Sequence, residues 1–294
     1  MTGVLLLVLA LLPAAHSAQE RPLPDRDTFV REVRARLDNP EERQSGYAYR
    51  QVEREQKLDE NGKPTSESLK VYEVYPGLPG ERRWRRLIEE DGVPVPPEEL
   101  QKKDRQRQTH VEEYLQKLAK QTPADRAKAV REYEKSRRED KEVIDEIFRV
   151  YDIRMLRRER LDGHDTIVFS LTPREGAKPR TREGKIMHKT AATAWISESD
   201  FEIVRVDVEA IDTITIGWGL LARVHEGSRA TMQRRKVNGE EWLPANVSYN
   251  ASARIALFKM YREGYSADYS NYRKFTVDTA ATYAVPKGPG TPQR

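Results

Sequence analysis

The chain moves between two hydrophobic rhythms. In DRDTFVREVRARLD, Phe29, Val30, Val33 and Leu37 fall at i, i+1, i+4 and i+8, one face of a helix. Asp27 stands where an N-cap is expected, and Asn39-Pro40 ends the run. A period-2 pattern follows. YAYRQVEREQKL, SESLKVYEVYP and ERRWRRLIEEDG read as three strands, the first two joined through Asn61-Gly62 and the third closing at Asp91-Gly92. Polar residues on both sides of the first hairpin tip predict that it projects into solvent.

The helical rhythm returns between about Pro97 and Phe148. Val111, Leu115 and Leu118 form one stripe. Thr122-Pro123 restarts the helix, with Thr as cap and Pro in the first turn. The second piece stays charged until Val143, Ile144, Ile147 and Phe148, so it is expected to dock only at its ends. Two readings stand side by side: a solvated helical excursion, and a partner-binding arm or lid.

From Tyr151 the pattern is β nearly throughout, with turns at Asp162-Gly163, Glu198 to Asp200 and Asn238-Gly239. Val204, Val206, Val208 and Ala210 alternate with Arg205, Asp207 and Glu209, which marks a half-buried strand. The expected fold is α+β: a single highly curved antiparallel sheet, an unclosed β-barrel of about 10–11 strands, wrapping amphipathic helices and carrying a charged helical insertion at about 97–150. Such a curl has a concave face. Helices fill part of it, and the remainder is expected to be an apolar cavity.

The first 18 residues, MTGVLLLVLALLPAAHSA, carry an apolar run too short for a bilayer, which takes roughly 20 residues. Pro13 and small residues follow it. Residues 1–18 therefore read as a secretory signal peptide, 19–285 as one domain, and 286–294 as a disordered tail. The mature protein is expected to be soluble and exported. The sequence has no cysteine, which excludes disulfides, thiol catalysis and a lipid anchor through cysteine.

Charge changes the picture little. There are 52 basic and 48 acidic residues, and they interleave, as in RREDKEVIDE. Nucleic-acid binding, which needs positive charge gathered on one surface, is not expected. Of five histidines, His16 leaves with the signal, and His110, His164, His188 and His225 show no metal-ligand spacing. No nucleophile elbow or phosphate loop appears. No catalytic residue, metal site or cofactor is expected, and the chain does not read as an enzyme.

Two strand pairs add a resemblance. TAATAWISESDFEIVRVDVE joins Trp195-Ile196 to Ile203-Val204-Arg205 across a polar turn, and VNGEEWLPANVSY carries Trp242-Leu243-Pro244. With the signal peptide and first helix, they resemble the outer-membrane lipoprotein-sorting carrier family of the bacterial periplasm, the LolA-like fold. The resemblance implies a non-enzymatic, monomeric carrier of a lipid, acyl chain or lipoprotein in the concave face. The helical excursion departs from that family. The alternative is a structural or partner-binding envelope protein acting through the charged arm on envelope proteins or a membrane surface.

Expected apolar ligand contacts are Trp195, Trp218, Leu220, Leu221, Leu257 and Phe258. The stretch IDTITIGWGLL, 211–221, has two readings: a loop tucked onto the helices, or an apolar rim of the concavity.

Overall fold

The structure is a computed structural model that describes residues 21–37, 46–78, 81–216, 222–255 and 259–274. The expected signal peptide and tail lie outside the described residues. Thirteen strands form one antiparallel sheet. They are β1 (Tyr47–Leu58), β2 (Pro64–Tyr75), β3 (Trp84–Glu90), β4 (Val93–Pro94), β5 (Tyr151–Leu161), β6 (His164–Pro173), β7 (Thr190–Ser197), β8 (Ile203–Ala210), β9 (Ile214–Ile216), β10 (Ala222–Val224), β11 (Arg229–Val237), β12 (Glu241–Ile255) and β13 (Lys259–Lys274). Among the described residues four helices accompany them: α1 (Arg26–Leu37), α2 (Pro97–Ala119), α3 (Pro123–Val150) and α4 (Arg182–Met187).

The spatial order is β4-β3-β2-β1-β13-β12-β11-β8-β7-β6-β5, with β9 and β10 attached beside β12. Edge strands β4 and β5 do not pair, so the curved sheet is an unclosed barrel. The count exceeds the expected ten or eleven because β4, β9 and β10 are two or three residues long. Strands that short carry too few alternations for a period to register.

The turns follow their dipeptides. Asp91-Gly92, Asp162-Gly163 and Asn238-Gly239 all have positive φ at both residues, the geometry of type I′ hairpin turns. The β1–β2 loop is wider. The Asp59 carboxylate accepts from the N–H groups of Asn61 at 2.8 Å and Lys63 at 2.9 Å. Its tip is exposed, as the polar flanks predict.

α1 lies on the sheet through Phe29. That ring stacks on Phe169 at 5.7 Å and meets Phe201 edge-on at 5.2 Å. Ile167, Ala194 and Ile196 complete the buried cluster, and Val30, Val33, Ile153, Met155, Leu171, Ile203 and Val206 pack against it. The N-cap differs from expectation. Asp25, not Asp27, accepts the Thr28 N–H at 2.9 Å, while Asp27 pairs with Arg26. The helix starts one residue before Asp27, so Asp25 has the right offset to reach an unpaired N–H of the first turn.

α2 and α3 form the expected arm. Thr122 caps α3 in a reciprocal box: its hydroxyl accepts the Asp125 N–H at 3.2 Å, and Asp125 accepts the Thr122 N–H at 3.0 Å. α2 has no buried residue, and in α3 only Glu146 and Val150 are buried. α2 is held to the sheet by Arg86 of β3, which grips Asp104 at 2.8 and 2.9 Å and also Glu73. α3 is held near its end. Glu146, fully buried, accepts from Arg149 and from the Arg180 N–H, and so ties α3 to the approach to α4. Gly184 of α4 lies against this carboxylate. A Cβ there would stand 1.8 Å from Glu146 Oε2.

Gly184→Ala is therefore expected to lower stability by about 1–3 kcal/mol, the usual cost of overpacking a tight contact. Urea unfolding measures it. A wild-type midpoint would mean that the Glu146 side chain moves aside at no cost.

Candidate ligand-binding face

Strand register fixes which side chains share the face on which α1 packs. Ala194 of the α1 cluster is opposite Val206, and Val206 opposite Met232. The line continues through Val247 and Ala267 to Glu53. Alternate residues of each strand point the same way. This inner face therefore also carries Tyr249, Tyr265, Tyr269, Tyr49, Gln51 and Tyr72.

The face has two halves of different chemistry. On β5 to β8 it is aliphatic and phenylalanine-rich, and α1 covers it. The α1 cluster ends at Val206. On β12, β13, β1 and β2 it is tyrosine-rich, and these tyrosines are half-buried. Tyr249 stacks on Tyr265 at 5.1 Å, and Tyr49 sits against Tyr269 at 5.6 Å and Tyr272 at 5.3 Å. At the centre is Glu53, only 8% exposed. It accepts from the Tyr265 hydroxyl and from Gln51 Nε2, each at 2.9 Å, and pairs with Arg85 at 2.6 Å. The Arg85 guanidinium lies 3.9 Å from the centre of the Tyr72 ring. A buried carboxylate is tolerated only when donors converge on it, and here three do.

Burial pushes these phenols upward. Tyr269 is raised to about 12 by burial and by the nearby Tyr49 and Glu53. Tyr249 is raised to about 12 by burial and by its hydrogen bond to Glu263. Tyr265 moves in the same direction, through burial and then its bond to Glu53. All stay neutral at physiological pH. The face offers flat rings and hydroxyls rather than a poised acid and base. Among the described residues, no group of His, Asp and Glu is placed to hold a metal ion.

The chain is similar to LolA superfamily proteins of known structure. One from Nitrosomonas europaea is 14% identical, with 85% of this chain and 93% of that chain covered and a TM-score of 0.29. A putative outer membrane lipoprotein-sorting protein domain from Vibrio parahaemolyticus is 9% identical, with 88% and 97% covered and a TM-score of 0.34. MucB, solved in complex with MucA, is 9% identical, with 86% and 100% covered and a TM-score of 0.24. No family model matches the chain, and no curated protein matches it. Scores this low carry no functional inference.

Of the expected ligand contacts, Trp195 alone lies among the described residues. Trp218, Leu220, Leu221, Leu257 and Phe258 lie outside the described residues, and with them the question of a tucked or rim loop. The strands leading into both stretches are neighbours: Ile216 pairs with Ala222, Ala222 with Ile255, and Ile255 with Lys259. Trp195 follows Ala194 on β7 and so points to the opposite face, where the Arg205 guanidinium lies 5.2 Å from its ring centre. Its indole N–H is buried without a partner. The tyrosine cluster was missed. Its signal is visible in YAYRQVE and GYSADYSNY, where Tyr47 and Tyr49, and then Tyr265 and Tyr269, repeat at even spacing on single strands.

Raised tyrosine values have a sign. The neutral form is favoured in the fold, so their contribution is full below the ordinary value of about 10 and fades as pH rises through about 12. Ultraviolet titration is expected to show a set of tyrosines ionising late, with loss of structure at alkaline pH. Ionisation of every tyrosine near pH 10 in the folded protein would contradict the packing of Tyr249 and Tyr269.

Proposed function

We propose that this chain is a non-enzymatic exported binding or carrier protein that holds an apolar ligand (a lipid, an acyl chain or a lipoprotein) against its inner face. The uneven cover of that face supports this reading. α1 occupies the β5 to β8 half, while the adjoining half presents half-buried tyrosines. Aromatic rings with a polar tip suit a ligand that is apolar along its length and polar at one end. Trp218, Leu220, Leu221, Leu257 and Phe258 are proposed as contacts. Trp195, on the other face, takes no part. Among the described residues, no helix is long and apolar enough to cross a membrane.

A second reading rests on a different observation. The arm has large apolar side chains in solvent, which fits an envelope protein that works by docking through that arm.

The carrier reading is tested by purifying the protein from its native envelope and analysing solvent extracts by mass spectrometry. A stoichiometric lipid or amphiphile is expected, displaceable by an environment-sensitive acyl probe. Trp218→Ser is expected to weaken probe binding about tenfold or more with little change in melting temperature, since burying a large side chain is worth about 1.5–3 kcal/mol. A bare protein that binds no probe would end this reading.

A further inference from the structure

The helical arm is uneven in charge. Between Tyr114 and Arg131, across the turn that joins α2 to α3, stand five cations, Lys117, Lys120, Arg126, Lys128 and Arg131, against one anion, Asp125. The shafts on either side, 98–113 and 132–146, each carry more carboxylates than cations. Positive charge is thus gathered at the tip of an arm whose stems are slightly acidic.

Exposed apolar side chains gather at the same place. Leu115 is 56% exposed, Leu118 37%, Val130 56% and Tyr133 57%. Four of the nine large exposed hydrophobics of the described chain therefore fall within nineteen residues. On α2, Val111, Leu115 and Leu118 continue the stripe on which Asp104 and Arg107 dock against β3, past the end of the sheet. α3 rejoins the body only from Val143 onward. The preceding twenty residues of helix reach roughly 30 Å from it. Between the two helices near the tip lies an open cleft of about 600 Å³, lined in part by Lys117, Lys120 and Lys128 with Glu113, Asp125 and Glu132.

Helical propensity does not require this arrangement. A purely solvated arm has no use for Leu115, Leu118, Val130 and Tyr133 in water, and a protein-packed arm would bury them. Exposed apolar side chains on the same helical tip as an excess of lysine and arginine are the chemistry of a surface that lies in the headgroup layer of an anionic bilayer. There the aliphatic tips enter the acyl boundary, and the long cationic side chains reach back to phosphates. We propose that the α2–α3 tip docks this protein on an anionic phospholipid membrane surface. The docking surface stands apart from the inner face and holds whether or not that face carries a ligand.

The test is co-sedimentation of the full chain with unilamellar vesicles of phosphatidylcholine alone and of phosphatidylcholine mixed with phosphatidylglycerol. Binding is expected only to the anionic vesicles and is expected to weaken as salt is raised. The triple variant Lys117→Gln, Lys120→Gln, Lys128→Gln is expected to lose roughly 100-fold in partitioning. Leu115→Ser with Leu118→Ser is expected to lose about tenfold or more on the same vesicles. Both variants alter exposed positions, so circular dichroism and the unfolding midpoint are expected to match wild type. Equal binding to both vesicle types overturns the proposal. So does no binding to either, or undiminished binding by folded forms of both variants. Self-association through the tip, or capture of an acidic protein with no vesicle binding, overturns it in favour of a protein partner.

Discussion

The structure depends on how a thirteen-stranded unclosed sheet covers its inner face when, among the described residues, one helix of twelve residues packs on it. A sheet this wide curls, and its concave side cannot be left as bare aliphatic surface. The chain meets this constraint in two ways. On β5 to β8, Phe29 closes a conventional apolar cluster. On β12, β13, β1 and β2, the face is built of tyrosines that pack on one another and around Glu53. Such a surface is stable half-dry, because the rings shed water from their faces while the hydroxyls of Tyr249, Tyr265 and Tyr272 keep polar partners.

The same logic explains why α2 and α3 can leave the body. Their sequences are charged on most sides, so they neither need a core nor supply one. They are fastened by polar clamps instead: Arg86 to Asp104 at the start of the arm, Glu146 to Arg149 and the Arg180 N–H at its end. Directional clamps hold few residues and hold them firmly. The tip between them is therefore free of the body, and it is where cations and exposed apolar side chains coincide.

Much of the fold is legible in the chain. The Asn-Gly and Asp-Gly turns, the alternation in β8 and the restart of the arm at Thr122-Pro123 depend on a few adjacent residues, and each appears as read. The departures have local causes. Asp25 and Asp27 are both cap-type residues, and only the starting phase of the helix chooses between them. β9 and β10 are too short to show a period. The candidate site was harder to read. Trp195 is apolar and sits on a strand, but which face it takes follows from Ala194 joining Phe29 across the sheet, a long-range fact. The tyrosine cluster joins β1 to β13, more than 200 residues apart, as in the Tyr265 to Glu53 bond. Even spacing on each strand marks a shared face, but it does not say that the two faces are one.

Glu53 bears on what this face can hold. An unpaired carboxylate there would exclude an apolar ligand, since covering it would cost several kcal/mol of desolvation. Arg85, Tyr265 and Gln51 already surround it at 2.6 to 2.9 Å, and Arg85 is itself spread over the Tyr72 ring. Drying the face would therefore break none of these bonds, and an apolar segment laid on it would meet mostly tyrosine rings. A hydrocarbon segment gains contact with those rings without having to supply hydrogen bonds, whereas a highly polar ligand gains little from hydroxyls already engaged with Glu53, Glu263 and the Pro244 carbonyl. A preference for an apolar segment would thus arise from polar residues that already satisfy one another.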